Sequence, residues 1–403
     1  MTSLDTELEA DIGTRVRRVQ AMMQADRFDA LIVYGNTKMG GSLRYLSGFF
    51  VDRTGWVSLG PSREDLFIFD GAALVVPTAG EPILLIEPGH MITSTAITGD
   101  VRGGGLTGGG EDGLTPKGVA DALSELGATG RIGVETWDRF PAPLYLGIRE
   151  QMPHTVLERS TVVETARLIK THYEVERLRE AGRVGDVGHQ AFVDALRNGP
   201  AKTELQLIRI AEGAMREMNP IYEDTVPSSP SLISSGDEVH GLLLHAPLPD
   251  KYVRVGDVVN WDICSRYYGY AVDTSRTRVL GEVNHDHDAA YSIALEMAQA
   301  VRDAAKPGAV TTDLVTLAKD VASAHGASLW LDFLGHGIGL DCHERPDMGV
   351  EEMVLEENMV ITVEPRVVFD HRFLMANEDM VLVTPDGGTS LTSFPREPLG
   401  VDI

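Results

Sequence analysis

Two pairs of apolar segments in the second half of the chain contain acidic residues at positions where the strands of a hairpin would meet. The first pair covers residues 258–262 and 270–273. With a turn centred on 267–268, Asp262 would lie directly opposite Asp273. Opposed Cβ atoms on one face of an antiparallel sheet are about 4.5–5.5 Å apart, and like charges at that spacing are destabilising. The pattern therefore predicts that another group neutralises the two aspartates.

The second pair of segments, 359–364 and 378–384, repeats this arrangement. Glu364 ends the first segment and Glu378 begins the second, so a hairpin with its midpoint at His371 places the two glutamates opposite each other. A single acid in a strand is usually a surface residue on a sheet edge. Two opposed pairs in one chain instead indicate a shared function.

A glycine-rich stretch, GHGIGLDCHERP at 335–346, adds His336 and His343 between the two hairpins. Four carboxylates with one imidazole suit Mn, Fe, Co or Zn better than Ca or Mg, because nitrogen is a borderline ligand. Two such ions, about 3.5–4 Å apart, would cancel the carboxylate repulsion and activate a water molecule. The residues therefore predict a two-metal hydrolytic centre.

Composition restricts the partners and the compartment. The formal net charge of the 403 residues is −25, whereas nucleic acids and anionic membranes bind surfaces rich in Lys and Arg, so neither is expected as a partner. No stretch reaches the roughly 18 apolar residues of a membrane span, and the N-terminus lacks a signal peptide, so a cytoplasmic location is predicted. Cys264 and Cys342 are too few for a disulfide framework and are predicted to be buried structural residues.

The order of predicted elements divides the chain near residue 165. Up to that point short apolar strands alternate with helices, which is typical of an α/β domain. A long helix is predicted over 166–196 and a second one begins at Thr203, where Gln206 completes a capping-box pattern. Antiparallel hairpins follow, so we predict an α/β domain over 1–165 and an α+β catalytic domain over 166–403. The glycine-rich segment 103–113 lacks the Gly-Lys-Ser/Thr of a phosphate loop and is predicted to be a surface loop.

The residues of the two hairpins and the histidine motif resemble the creatinase/prolidase/methionine-aminopeptidase superfamily. The order Asp, Asp, His, Glu, Glu matches, as do the string at 335–346, the string 363–365 and the acidic pair at 378–379. The likeness extends to Asn36 and 45–49 in the first domain, and to the helix around 169–181. It therefore covers nearly the whole chain.

The resemblance implies a pita-bread catalytic domain preceded by a creatinase-type N-terminal domain, usually in a homodimer. It implies that Asp262 and Asp273 hold one divalent ion, that His336 and Glu364 hold the other, and that Asp273 and Glu378 bridge the two. Glu364 would also be the general base, whereas His343 and His245 would contact the substrate and stabilise the tetrahedral intermediate. The ions would be Mn, Co, Zn or Fe.

The predicted activity is hydrolysis of a C–N bond, in a short peptide or a small amide, by a metal-bound hydroxide. Ala376 departs from proline-cleaving members, which commonly have an arginine at this position, two residues before the last glutamate. The segment between Gly236 and His245 is also about two residues longer than expected. These departures predict weak activity on Xaa-Pro dipeptides and a different small amide or non-peptide substrate, as for a creatinase-like enzyme. The alternative is that a neighbouring residue fills the place of the arginine and proline specificity survives.

Two other functions stay open at this point. One is a metal-dependent lyase on the same fold, similar to dimethylsulfoniopropionate-cleaving relatives, which the absence of a further aspartate in the segment 260–262 disfavours. The other is a non-catalytic binding module, which the complete set of five ligand residues disfavours.

Overall fold

The computed structural model describes residues 3–51, 71–87, 100–103, 113–198, 201–219, 231–236, 244–369 and 373–402. The chain separates into two compact units, Met1–Arg167 and Leu168–Ile403. The glycine-rich segment 104–112 and most of the segment between Gly236 and His245 lie outside the described residues. Within the described part of the chain, no helix combines the length and apolar character that a membrane crossing needs.

The first unit contains a six-stranded mixed sheet with helices. Its strands are β1 Ala30–Gly35, β2 Ala72–Pro77, β3 Ile83–Ile86, β4 Asp100–Gly103, β5 Arg131–Glu135 and β6 Val156–Arg159, in the order β4-β3-β2-β1-β5-β6. Its helices are α1 Ser3–Asp26, α2 Gly41–Ser47, α3 Pro116–Glu125, α4 Ala142–Gln151 and α5 Val162–Ala166. All residues of β1 and β2 are buried, as expected for apolar strands at the centre of a sheet.

Four helices of the second unit are α6 His172–Arg197, α7 Glu204–Glu217, α8 His285–Ala304 and α9 Thr311–Ala324. The helix predicted over 166–196 was wrong at its start, because Thr171 and Glu174 form a capping box that begins α6 at His172. The side chain of Thr171 accepts the N–H of Glu174 and the Glu174 carboxylate accepts the N–H of Thr171. The capping box predicted at Thr203 is confirmed.

The strands of the second unit form three antiparallel or mixed sheets. They are β7 Leu232–Gly236, β8 Val258–Tyr267, β9 Tyr270–Leu280, β10 Ser328–Leu329, β11 Gly335–Gly337, β12 Glu344–Met348, β13 Val360–Val363, β14 Arg366–Phe369, β15 Phe373–Ala376, β16 Asp379–Thr384, β17 Gly387–Ser390 and β18 Gly400–Val401. The sheet orders are β18-β9-β8-β7, β12-β11-β13-β16-β17 and β10-β14-β15. Helices α6 and α7 pack on β8, where Phe192 stacks on the fully buried Trp261 with ring centroids 4.1 Å apart.

Candidate metal centre

The first hairpin, β8 with β9, does not have the register that the sequence predicted. Its turn lies at Tyr268 and Gly269, which have φ angles of 49° and 86°, and not at 267–268. Asp273 therefore pairs with Cys264, two residues from Asp262 along β8. The direct opposition of the two aspartates was wrong, because a two-residue turn with positive φ at both positions shifts the pairing. The aspartates are diagonal neighbours on the same face of the sheet, still within reach of one ion.

The second hairpin has the predicted register. Val363 pairs with Asp379 at the end of β13 and β16, and Arg366 pairs with Ala376 at the start of β14 and β15. Glu364 and Glu378 lie between these two ladders, at opposed positions. Both glutamates belong to groups of potential ligand residues, Glu364 together with His336 and Glu378 together with His336 and the two aspartates.

Backbone contacts attach the second hairpin to the first. The N–H of Glu378 donates to the carbonyl oxygen of Ser275 at 3.0 Å. The carbonyl oxygen of Glu378 accepts from Thr274 Oγ1 at 2.9 Å and from Arg276 Nη1 at 2.6 Å. Strand β9 thereby holds both Asp273 and the backbone of Glu378, which sets the distance between these two carboxylates.

His336 lies in β11, beside β13. Its N–H donates to Thr362 Oγ1 at 3.1 Å, and Nδ1 lies 2.9 Å from the carbonyl oxygen of Gly337. A proton on Nδ1 would satisfy that carbonyl and leave the Nε2 lone pair directed at the acids, 3.6 Å from Asp273 Oδ2 and 3.5 Å from Glu364 Oε1. This is the orientation that a metal-binding histidine needs.

The close approach of β11 to its neighbours depends on glycine. A Cβ at Gly337 would lie 2.0 Å from the carbonyl oxygen of Arg345, and a Cβ at Gly335 would lie 2.3 Å from that of Thr362. Gly335 also has a φ of 142°, which other residues rarely adopt. The glycines therefore let His336 come within reach of the acids.

The five predicted ligand residues come together in two overlapping groups. His336, Glu364 and Glu378 form one group, and Asp262, Asp273 and Glu378 form the other. Within each group the potential ligand atoms all lie within 4.8 Å of one another. Glu378 belongs to both groups, which suits a bridging carboxylate.

Two observations show that this donor set fits divalent cations. Asp262 Oδ1 and Glu378 Oε2 are buried and have no hydrogen-bond partner among the residues that the structure describes, although buried polar atoms are normally satisfied. Burial, followed by repulsion from neighbouring acids, raises the pKa of Asp273 and of Glu378 well above the ordinary range, and burial is also the main cause of the raised pKa of Asp262. A bound cation would supply the missing contacts and compensate the buried negative charge.

The two cysteines are free and buried, as predicted, but their contacts with the centre were missed. Cys264 Sγ donates to Asp273 Oδ1 at 3.1 Å, and Cys342 Sγ donates to Asp273 Oδ2 at 2.8 Å. The thiols therefore orient both oxygens of this carboxylate. The two-residue shift of the first hairpin, which pairs Cys264 with Asp273, could not be read from the sequence.

Arg366 is a further residue of the centre that sequence reasoning missed. Its Nη2 donates to Glu364 Oε2 at 3.0 Å and to Asp262 Oδ2 at 3.2 Å. Burial would lower the pKa of Arg366, but Glu364 and Asp262 outweigh it and raise the pKa above its ordinary value. In the ladder between β14 and β15, Arg366 pairs with Ala376, the alanine that departs from the arginine of proline-cleaving members. The hairpin midpoint that the sequence predicts at His371 would also place Arg366 opposite Ala376.

The two histidines expected to contact substrate differ in their surroundings. The ring of His343 lies 4.0 Å from that of His336, and His343 can join Asp273 and His336 in a further ligand group. His343 is exposed, and the Cys342 side chain is the main cause of its raised pKa. His245 lies with its Nε2 3.7 Å from Glu204 Oε1 and belongs to none of the ligand groups found among the described residues.

A buried ion-pair cluster surrounds Asp379, the residue that follows Glu378 in the chain. Asp379 Oδ1 is 2.9 Å from Arg276 Nη2, and Asp379 Oδ2 is 2.7 Å from Arg396 Nη2 and 3.6 Å from Arg302 Nη1. Burial alone would raise the pKa of Asp379, but Arg276 and Arg396 outweigh it and lower the pKa to about 2. The cluster therefore holds an ionised carboxylate next to Glu378.

Comparison with known families agrees with this geometry. A model described as metallopeptidase family M24 matches residues 176–385, and a model of the creatinase/prolidase N-terminal domain matches residues 15–169. The chain belongs to metallopeptidase family M24. The predicted relationship to the creatinase/prolidase superfamily is confirmed, as is an α+β chain with a pita-bread domain after a creatinase-type N-terminal domain.

Several individual proteins are similar to this M24 chain over much of their length. An Xaa-Pro dipeptidase of Pyrococcus furiosus is 33% identical over 240 residues, which cover 59% of this chain and 67% of that protein. A probable dipeptidase PepE of Mycobacterium tuberculosis is 29% identical over 338 residues, covering 82% and 86% of the two chains. The crystal structure of an X-Pro aminopeptidase from Thermotoga maritima has a TM-score of 0.77 at 22% identity, covering 96% and 99% of the chains. That last likeness shows the fold.

Proposed function

We propose that this M24 chain is a dinuclear metal-dependent dipeptidase. The observation that carries the proposal is the pair of overlapping ligand groups, which share Glu378 and contain two buried carboxylate oxygens without hydrogen-bond partners. Asp262 and Asp273 would hold one divalent ion, His336 and Glu364 the other, with Asp273 and Glu378 contributing to both. When bound, such ions polarise the scissile carbonyl and lower the pKa of a water molecule.

Glu364 is the general base in this proposal. Its Oε1 lies 3.4 Å from Thr362 Oγ1 and its Oε2 accepts from Arg366, so both oxygens have fixed positions. A carboxylate in a fixed position can take the proton from the attacking water and pass it to the leaving amine nitrogen. His343 is exposed beside the ligand groups and can donate a hydrogen bond to the oxyanion that forms at the carbonyl.

Short peptides are the substrate class that the relatives support. Two similar proteins are named as dipeptidases, and one of these is specific for Xaa-Pro by its name. The prediction of weak Xaa-Pro activity depended on open space at Ala376. Arg366 pairs with Ala376 across the ladder and donates to Asp262 and Glu364, which supports the alternative that a neighbouring residue takes the place of the missing arginine. We therefore include Xaa-Pro dipeptides among the proposed substrates.

A substrate panel tests this choice. Purified, Mn-loaded protein should cleave at least one Xaa-Pro or other dipeptide with a kcat/KM of about 10⁴ M⁻¹s⁻¹ or higher. Product amines measured by chromatography would give the rates, and matched small non-peptide amides serve as the comparison. Efficient cleavage of the amides together with inert dipeptides would instead support the creatinase-like alternative. Elimination products without hydrolysis would support the lyase.

The histidine assignments give a separate prediction. His343→Ala and His245→Ala should retain bound metal but lose about 10²–10³-fold in kcat/KM, the usual effect of removing one preorganised donor. Metal content by mass spectrometry and steady-state kinetics are the measurements. His154→Ala, which changes an exposed histidine in a turn of the first unit, is the matched control. A variant with wild-type kcat/KM would remove that histidine from the proposed mechanism.

The metal identity, the homodimer and the cytoplasmic location remain predictions from the sequence and the resemblance. Metal analysis of the purified protein would also separate the dipeptidase from the non-catalytic binding module, because the module would not require metal for any function.

A further inference from the structure

The two cysteines and Asp273 form a compact group beside the other ligand residues. Cys264 Sγ and Cys342 Sγ lie 4.0 Å apart, and each sulfur contacts a different oxygen of the same carboxylate, at 3.1 Å and 2.8 Å. All three residues are no more than 5% exposed, and their potential ligand atoms lie within 4.8 Å of one another. The hydrolytic centre proposed above uses Asp273 but neither sulfur.

Backbone contacts fix both sulfurs relative to Asp273. Cys264 is directly opposite Asp273 in the ladder of β8 and β9. Cys342 lies between β11 and β12, in a segment that is bonded to the same hairpin, because the N–H of Ala271 donates to the carbonyl oxygen of Gly339 at 2.7 Å. One hairpin therefore anchors both sulfurs and the carboxylate that they share.

The types of donor and their spacing suit a thiophilic metal ion. Zn²⁺ takes thiolate sulfur at about 2.3 Å in tetrahedral sites, so two sulfurs on one ion are about 3.8 Å apart. The observed separation of 4.0 Å is close to that value, whereas a disulfide needs its sulfurs about 2.05 Å apart. A thiol is only a weak hydrogen-bond donor. The two S–H groups therefore compensate the buried charge of Asp273 less well than a bound ion would.

We propose that Cys264, Cys342 and Asp273 form a second metal site, selective for thiophilic ions such as Zn²⁺ and Cd²⁺, and that an ion bound there inhibits hydrolysis. The ion displaces the proton of each thiol to solvent and binds both thiolates and a carboxylate oxygen. His343 follows Cys342 and can share an ion with Asp273, so its imidazole can complete four ligands. Asp273 is then withdrawn from the hydrolytic centre. This last step rests on the proposed dipeptidase function, whereas the sulfur site does not.

The experiment uses Cd²⁺ as the probe, because X-ray absorption at the Cd edge identifies its ligands without any variant. Wild-type protein, kept reduced by a phosphine and given one equivalent of Cd²⁺, should show two sulfur neighbours and thiolate-to-Cd charge-transfer absorption in the ultraviolet. The bound ion should also inhibit the Mn-loaded protein. Cd²⁺ surrounded by oxygen and nitrogen alone would overturn the proposal, and so would sulfur-bound Cd²⁺ that leaves peptide hydrolysis unchanged.

The matched variant is Cys264→Ser/Cys342→Ser, because a hydroxyl can still donate to Asp273 but is a poor ligand for Cd²⁺. It should lose the charge-transfer absorption. Its ratio of Cd to Mn affinity should fall by about 100-fold or more, since losing even an outer-shell partner of a metal costs about 10–100-fold. An unchanged ratio would contradict the site, and the wild-type sulfur count decides the question if the variant does not fold. Absence of Mn-dependent hydrolysis would overturn the dipeptidase and the inhibition with it, but not the sulfur site.

Discussion

Glu378→Ala should remove bound metal and reduce peptide hydrolysis to the background rate. Glu378 belongs to both ligand groups, and its Oε2 is buried without a hydrogen-bond partner. Its removal therefore affects the coordination of both proposed ions. Asp262→Ala should have the same effect on activity, with loss of at least one ion. Metal content by mass spectrometry and kcat/KM on a dipeptide are the measurements.

Asp320→Ala is the matched control for these two variants, because Asp320 is an exposed acid on α9. It should retain metal and full activity. Added Mn should also raise the Tm of the wild type and the control, because a ligand that binds only the native state stabilises it, but should not raise that of Glu378→Ala. Retention of two ions and ordinary turnover by Glu378→Ala would disprove the proposed centre.

Asp379→Asn should lower the free energy of unfolding by about 3–5 kcal/mol at neutral pH, the cost of removing one partner from a buried ion pair. The substitution leaves Arg276, which is completely buried, facing an amide in place of a carboxylate. Arg396 and Arg302 lose the same anion. Urea unfolding followed by circular dichroism measures the change, and Asp320→Asn should alter stability by no more than about 0.5 kcal/mol.

The pH dependence of the free energy of unfolding shows whether the negative charge of Asp379 stabilises the fold. The pKa of Asp379 is lowered from 3.8 to about 2 in the folded state. The ionised carboxylate therefore stabilises the fold above its unfolded pKa, and this stabilisation, about 2 kcal/mol, is lost as the pH falls through about 2. The stability difference between wild type and Asp379→Asn should accordingly narrow under acid conditions. A difference that stays constant down to pH 2 would show that the loss comes from packing and not from charge.

Sequence reasoning alone predicted the five candidate ligand residues, and the folded chain brings these residues together. Apolar segments of strand character predicted the hairpins, and acids beside such segments are costly unless their charge is neutralised. The register of the second hairpin was predicted from a midpoint at His371, and the pairs in both of its ladders are symmetric about that position. The same midpoint also implied the pairing of Arg366 with Ala376.

How these groups meet depends on the packing of the folded chain. The turn at Tyr268 and Gly269 shifted the first hairpin by two residues, and turn geometry depends on φ angles that the apolar pattern does not encode. Bonds between residues distant in sequence brought Cys342 to Asp273, 69 positions away, and Arg366 to Asp262, 104 positions away. The apolar pattern of a strand indicates which of its residues are buried. Which residues they contact depends on how separate hairpins pack together. The contacts of the Arg366 guanidinium with Asp262 and Glu364 were therefore found only in the folded chain.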